Sequence, residues 1–448
     1  MTKSDMKKAC LLSLGCPRNL LDSEVLLSLL EKKGFGIVED PEGADVAIVN
    51  TCGFIEDAKE ESVNVILQLA ALKKEGKIKK LVAAGCLAQR YPRKLMEKIT
   101  EIDGVFGTSD FTRIPAAVDV MLSGRRVREV TADPHFLYDH EYARKMLTPP
   151  HYAYLKIQEG CSNRCTYCVI PQLKGPRRSR RAESVIEEAR RLKSEHGIKE
   201  LILIGQDTTS FGLDADGKPG LSGLIRDLSP VMKDAWIRLL YTHPAHFTDD
   251  LIDTIADTAN LCKYVDLPIQ HINDKLLQKM NRRVTGSRVR GLLEKLRTGI
   301  NGLTLRTTVI VGFPGETDRE FGELVDFLEE ARFDRLGAFL YSREEGTPAA
   351  GFKGQVPRKV REERFDEIMK VQQKISAENN RKYLDKRVKA LVDEKDPSGG
   401  DQFTGRGQMD APEVDGVIYI KGKGLNAGEF TDVRITGAME YDLIGEAV

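Results

Sequence analysis

Ala153-Tyr-Leu-Lys-Ile-Gln158-Glu-Gly-Cys161-Ser-Asn-Arg-Cys165-Thr-Tyr-Cys168 is the stretch on which the reading of this chain turns. Its first six residues predict a buried strand, and three cysteines within eight residues follow almost at once. Thiolates are favoured ligands of iron–sulfur clusters. Three of them on so short a loop wrap one cubane and leave its fourth iron free to chelate a substrate or cofactor. The alternative is a structural zinc site. That site asks for four ligands, usually in two separated pairs, and no fourth Cys or His lies nearby in sequence.

Downstream, candidate strands at Glu200–Ile204, Trp236–Tyr241, Tyr264–Ile269, Leu305–Val311 and Arg335–Tyr341 alternate with helical stretches. Examples are Ala182–Glu195, Thr248–Thr258, Ser287–Thr298 and Thr317–Ala331. With Ala153–Gln158 they make six strand–helix units, an open (β/α)6 barrel smaller than the eight-unit form. This central region spans residues 150–380 and ends in a charged helix over Arg358–Arg381.

Upstream, residues 1–139 show buried strands at Ala9–Leu14, Ala44–Asn50 and Lys80–Ala84, with amphipathic helices at Ser23–Lys33, Asp57–Lys74 and Pro92–Thr100. Such alternation predicts an open, mostly parallel α/β sheet. Tyr138–Pro150, ending in two prolines, reads as a linker. Residues 382–448 lose the helical period. Val388–Val392, Gly416–Ile420 and Phe430–Thr436 predict short strands of a small all-β domain, an antiparallel barrel or sandwich. The expected fold class is α/β in three parts.

The chain has 448 residues, 41% hydrophobic and 30% charged, with 68 Lys plus Arg against 68 Asp plus Glu. Zero net charge argues against a protein that coats nucleic acid along its whole length. No apolar run approaches the roughly 18 residues of a membrane span, and the short stretch Ala9–Leu14 lacks a signal-peptide cleavage pattern. The expected location is the cytoplasm, with no membrane partner. In that reducing compartment eight cysteines point to metal or redox use rather than disulfides.

Cys16, Cys52 and Cys86 each follow an N-terminal strand. In an open parallel sheet the carboxyl ends of neighbouring strands form one crevice, so three cysteines far apart in sequence converge there. Each also precedes a helix, whose N-terminus favours a thiolate. A second cluster with an open iron is expected at this triad. Cys10 and Cys262 share no such placement and read as core residues.

The Cys161–Cys168 spacing resembles the radical S-adenosylmethionine superfamily. The two triads together, with the motifs Gly15-Cys16-Pro-Arg-Asn19, Asn50-Thr-Cys52-Gly-Phe54 and Gly85-Cys86-Leu87, resemble its methylthiotransferase family over essentially the whole chain. The resemblance implies two 4Fe–4S clusters, S-adenosylmethionine as co-substrate, an external electron donor, and a C-terminal TRAM-like domain that holds a macromolecular substrate. It places Tyr167 beside the adenine, Gly205, Gln206 and Asp207 near the methionine amino group, and Val311-Gly312 at the strand end that packs on adenine. Ser179-Arg180, Arg238 and the segment Asp266–His271 match family positions near strand ends, or are polar residues that support the fold. S-adenosylmethionine would be used twice, once to methylate sulfide and once to generate the radical that activates a substrate carbon.

Members of the family modify either an aspartate of the twelfth small-subunit ribosomal protein or an adenosine of transfer RNA. Residues 386–448 carry eight Lys plus Arg against twelve Asp plus Glu, a poor grip for phosphate and a complement to a basic ribosomal protein. Gly405–Gly416 also resembles the ribosomal-protein branch. The basic run Lys174–Arg181 pulls the other way: it reads as a contact for phosphate, ribosomal RNA included, as a cofactor carboxylate site, or as a solvated loop. A redox or electron-transfer protein without substrate chemistry is the third reading.

Overall fold

The computed structural model describes residues 6–215, 217–397 and 399–448. In the N-terminal part six strands form one parallel sheet: β1 Lys8–Ser13, β2 Gly36–Val38, β3 Val46–Thr51, β4 Lys80–Gly85, β5 Ile102–Phe106 and β6 Val127–Glu129. Their order is β2-β1-β3-β4-β5-β6, and every pairing is parallel. β3 is buried at all six positions, as a strand covered on both faces must be. Helix α1 (Pro17–Lys32) starts earlier than its apolar period suggests, because Cys16 and Pro17 open it. Helix α2 (Glu56–Lys74) carries Glu56 and Asp57 in its first turn and Lys73 and Lys74 in its last, matching the helix dipole. The sequence reading missed β2, β5 and β6, which are short.

The central part has six parallel strands in two sheets of three, Trp236–Leu239 beside Glu200–Ile204 beside Tyr152–Lys156, and Tyr264–Asp266 beside Thr304–Val311 beside Arg335–Leu340. A single parallel bridge, Ile237 to Leu261, joins them. The alternation of each strand decides what lies on its two faces. Ala153 and Leu155 pack outward on the surrounding helices. Tyr152, Tyr154, Trp236 and Tyr264 point into the lumen.

The C-terminal part is a closed five-stranded barrel of Arg387–Lys395, Gln402–Gly407, Ile418–Lys421, Phe430–Ala438 and Leu443–Ala447. It contains one parallel pair, Ile418–Lys421 with Leu443–Ala447, so it is not purely antiparallel as expected. Leu391, Ala411 and Phe430 from this barrel complete the core lumen. Arg335 donates to Asp410 at 2.7 Å, and Tyr264 to Asp415 at 2.6 Å.

Residues 138–150 have no regular structure, yet they are far from a loose tether. Tyr138 is buried, and Arg144 is clamped between Glu24 at 2.6 Å and Glu188 at 2.8 Å. Composition alone cannot show such pairing. No helix among the described residues is long and apolar enough to cross a membrane.

Candidate active site

The register of the N-terminal sheet decides where its cysteines go. Ser13 pairs with Asn50 and Asn50 with Ala84, so β1, β3 and β4 end side by side. Cys16 then caps α1, Cys52 leaves β3 directly, and Cys86 opens the short helix Cys86–Arg90. The three turns touch. Gly15, at φ +89°, has no room for a side chain, since a Cβ would lie 2.8 Å from Cys52 Cβ. A Cβ on Gly53 would lie 2.8 Å from the Leu87 nitrogen.

Asn19 ties the turns together. Its Nδ2 donates to the Leu14 and Thr51 carbonyls, both at 2.9 Å, and its Oδ1 lies 3.9 Å from Cys86 Sγ. Burial opposes ionisation of Cys16, but Arg18 and the Asn19 N–H more than offset it, so this thiol lies below its ordinary value. Burial pushes Cys52 up, and Cys86 up to about 12.

The central triad lies on the loop after Gln158–Glu159. Cys161 N–H donates to the Gly175 carbonyl at 3.1 Å, Thr166 N–H to the Met280 carbonyl at 3.1 Å, and Asn163 Nδ2 to Asp207 at 2.7 Å. Arg282, which the sequence reading did not single out, reaches both Cys165 Sγ and the Tyr167 hydroxyl at 3.5 Å. Burial raises Cys161 to about 11 and raises Cys168 as well.

The two triads are neighbours. Cys86 packs in one buried cluster with Val169 and Leu173, directly past Cys168. Arg18 donates to the Gly205 carbonyl at 2.7 Å. Asp22 of α1 pairs with Lys156 at 2.5 Å and Lys174 at 2.8 Å, and Glu159 pairs with Lys156 at 2.7 Å, all of them buried.

The residues expected at the co-substrate divide into two groups. Tyr167 meets Phe313, next to Val311-Gly312, edge to face at 6.5 Å. Gly205 and Gln206 lie against Gln158 and Glu159, and the buried amide oxygens Gln158 Oε1 and Gln206 Oε1 have no donor. An ammonium group suits such acceptors. Asp207 is placed differently: its carboxylate already accepts from Asn163, Thr209 and His246, and it clamps the cysteine loop.

Arg180 is enclosed by Glu188 at 2.6 Å and the Tyr138 ring at 4.5 Å. Arg238 is wholly buried, bonded to Glu200 at 2.6 Å and to the Gln408 carbonyl at 2.8 Å. Both arginines serve packing between parts of the chain, a role that spacing from a motif cannot distinguish. His271 is buried and neutral, driven down to about 3 by desolvation, with Nδ1 accepting from Asn273 N–H. The basic run is partly internal: Lys174 and Arg180 are buried in ion pairs, and Arg177 pairs with Asp214 at 3.3 Å. Other members are more open: Arg177 and Arg178 are half-buried, and Pro176 and Arg181 are exposed.

All eight cysteines are unpaired, and Cys10 and Cys262 lie in the core. Among the described residues, only Asp207, His243 and His246 bring three such ligand atoms within 4.8 Å of one another. Neither cysteine triad is that tight, whereas sulfurs around a tetrahedral zinc lie about 3.8 Å apart at Zn–S bonds near 2.3 Å. A donor set of three thiols with no fourth ligand suits an iron–sulfur cluster with one open iron.

A six-stranded parallel half-barrel with a three-cysteine loop after its first strand defines a radical S-adenosylmethionine fold. Family comparison agrees: residues 155–328 match the radical SAM superfamily, residues 8–107 the uncharacterized protein family UPF0004, and residues 386–448 the TRAM domain. The chain is 49% identical to the ribosomal protein uS12 methylthiotransferase RimO of Pelotomaculum thermopropionicum, covering 98% of this chain and 99% of that one. It is 47% identical to RimO of Desulforamulus reducens, over 97% and 98%. Among solved structures, the radical S-adenosylmethionine methyltransferase TsrM of Kitasatospora setae superposes with a TM-score of 0.58 at 17% identity, covering 77% of each chain, a likeness of fold alone. The chain belongs to the RimO family of methylthiotransferases and is a radical S-adenosylmethionine enzyme.

Proposed function

We propose that the protein attaches a methylthio group to the β-carbon of an aspartate in ribosomal protein uS12, using two 4Fe–4S clusters. Cys161, Cys165 and Cys168 would hold one, and Cys16, Cys52 and Cys86 the other. The observation that supports this reading is the packing of Cys86 with Val169, the residue after Cys168, which brings a member of one triad against the loop of the other. Bound there, one cluster would pass an electron from an external donor to S-adenosylmethionine, and the other would offer the site from which sulfur is delivered.

The chain's own residues do the rest. Gln158 and Gln206 offer acceptors to the methionine ammonium, and Tyr167 with Phe313 offers an aromatic wall. The interlocked Asp22, Lys156, Lys174 and Glu159 fix one triad against the other, as reaction between two held groups requires. The substrate rests on the full-length relatives. Charge contributes less, since Asp393, Asp410, Glu413 and Asp415 of the C-terminal barrel pair inward with His151, Arg335, Tyr152 and Arg306.

The test is anaerobic protein with S-adenosylmethionine, reductant and either uS12 or transfer RNA, with added CH₃S detected by mass. Modified uS12 and about eight irons per chain are expected. Modified transfer RNA with untouched uS12 would sink the assignment of substrate.

A further inference from the structure

Arg18 stands where the two triads meet. It lies in the first turn of α1, two residues past Cys16. Its Nη1 donates to the Gly205 carbonyl at 2.7 Å, at the end of the strand Glu200–Ile204. Its guanidinium carbon lies 4.4 Å over the Tyr241 ring, a cation–π geometry. Tyr241 is itself held at φ +60°, a conformation rare for a bulky residue, with its N–H bonded to Asp266 at 2.8 Å. The strained residue thus keeps its ring under Arg18.

The other cations at this junction behave differently. Lys156 and Lys174 have carboxylate partners, Asp22 and Glu159. Arg18 makes no ion pair with a carboxylate among the described residues; its contacts are a carbonyl, a ring and Cys16. With Glu159 near it but not paired to it, this cation faces the sulfur of Cys16 as its nearest negative group.

We propose that Arg18 is a positioning residue that sets the N-terminal cysteine triad in register with the strand end facing S-adenosylmethionine, and so couples cleavage of the co-substrate to sulfur insertion. The proposal rests on the reading above, that each triad holds a cluster. The planar fork matters because one face stacks while the edge donates, which an ammonium cannot reproduce. The charge matters because it lies beside an anionic site.

The experiment compares the parent enzyme with Arg18→Gln and Arg18→Lys, full length and iron-loaded. Two quantities are read: methylthiolated uS12 per 5′-deoxyadenosine released, and the midpoint potential of each cluster by EPR-monitored titration. In Arg18→Gln the coupling ratio is expected to fall about tenfold, the scale of a lost outer-shell contact. The potential of the N-terminal cluster should move to more negative values while that of the Cys161–Cys168 cluster moves less.

Arg18→Lys should restore the potential and only part of the coupling. A coupling ratio and potential in Arg18→Gln equal to the parent's would overturn the proposal. Should Arg18→Gln fail to hold iron at the N-terminal triad, Arg18→Lys decides: lowered coupling at the parental potential supports the role, and unchanged coupling refutes it. A parent enzyme with about four irons per chain would instead overturn the two-cluster reading and this proposal with it.

Discussion

Cys161, Cys165 and Cys168 share one short loop, whereas Cys16, Cys52 and Cys86 arrive from three strand ends. The first triad is held by backbone donors of its own loop and its neighbours, so local sequence nearly suffices to build it. The second exists only while β1, β3 and β4 keep their register. Its environment differs too: Arg18 favours the thiolate of Cys16, while no cation offsets the desolvation of Cys161 to that extent. One site is encoded by spacing and the other by topology.

The largest effect that separates them comes from the ligands. Cys165→Ala should abolish 5′-deoxyadenosine release. Cys52→Ala should leave that release measurable and stop methylthiolation. Intact product from Cys52→Ala would break the two-site comparison.

A smaller effect comes from the side chains that brace each triad. Asn19→Ala leaves the Leu14 and Thr51 carbonyls without their donor, at about 1–3 kcal/mol for buried partners left unsatisfied. Iron should be lost from the N-terminal site while the other stays loaded. Asn163→Ala, which unties the cysteine loop from Asp207, should do the reverse. Iron counts with the Cys52→Ala and Cys165→Ala backgrounds assign the loss to a site, and equal loss from both sites in either variant would refute independent bracing.

The smallest effect is in reactivity. Thiolate is the reactive form, and a lowered pKa raises its fraction at a given pH. In chelator-treated protein near neutral pH, Cys16 should be alkylated faster than Cys52 or Cys86. Cys161 should react appreciably only as the pH rises toward about 11. Peptide mass mapping across a pH series reads the order directly.

Much of this was legible in sequence because the strongest signals are periodic or local. The six core strands are apolar runs of ordinary length, and the Cys161 loop is contiguous. β2 and β6 escaped notice because three residues, Gly-Ile-Val and Val-Arg-Glu, make no continuous apolar run, and β5 because Asp103 and Gly104 interrupt its apolar residues. Arg180 and Arg238 look like site residues beside strand ends, but their partners Glu188 and Gln408 lie on elements whose approach no local pattern reveals. Arg18 and Arg282 were missed for the converse reason. Arg282 reaches Cys165 from a segment far along the chain, and Arg18, although next to Cys16, shows its role only through its bond to the Gly205 carbonyl across the domain junction.

The turn of the C-terminal barrel that enters the core lumen has an engineering consequence. Asp410 is the carboxylate paired with the buried Arg335, and Asp415 joins Arg306 and Tyr264. A chimera made to retarget the enzyme by grafting a foreign barrel after residue 386 would inherit those arginines. Without aspartates at positions 410 and 415, the graft would bury Arg335 opposite no anion, at about 3–5 kcal/mol. Retargeting by domain exchange therefore needs the lumen-facing turn kept and only the outer surface replaced.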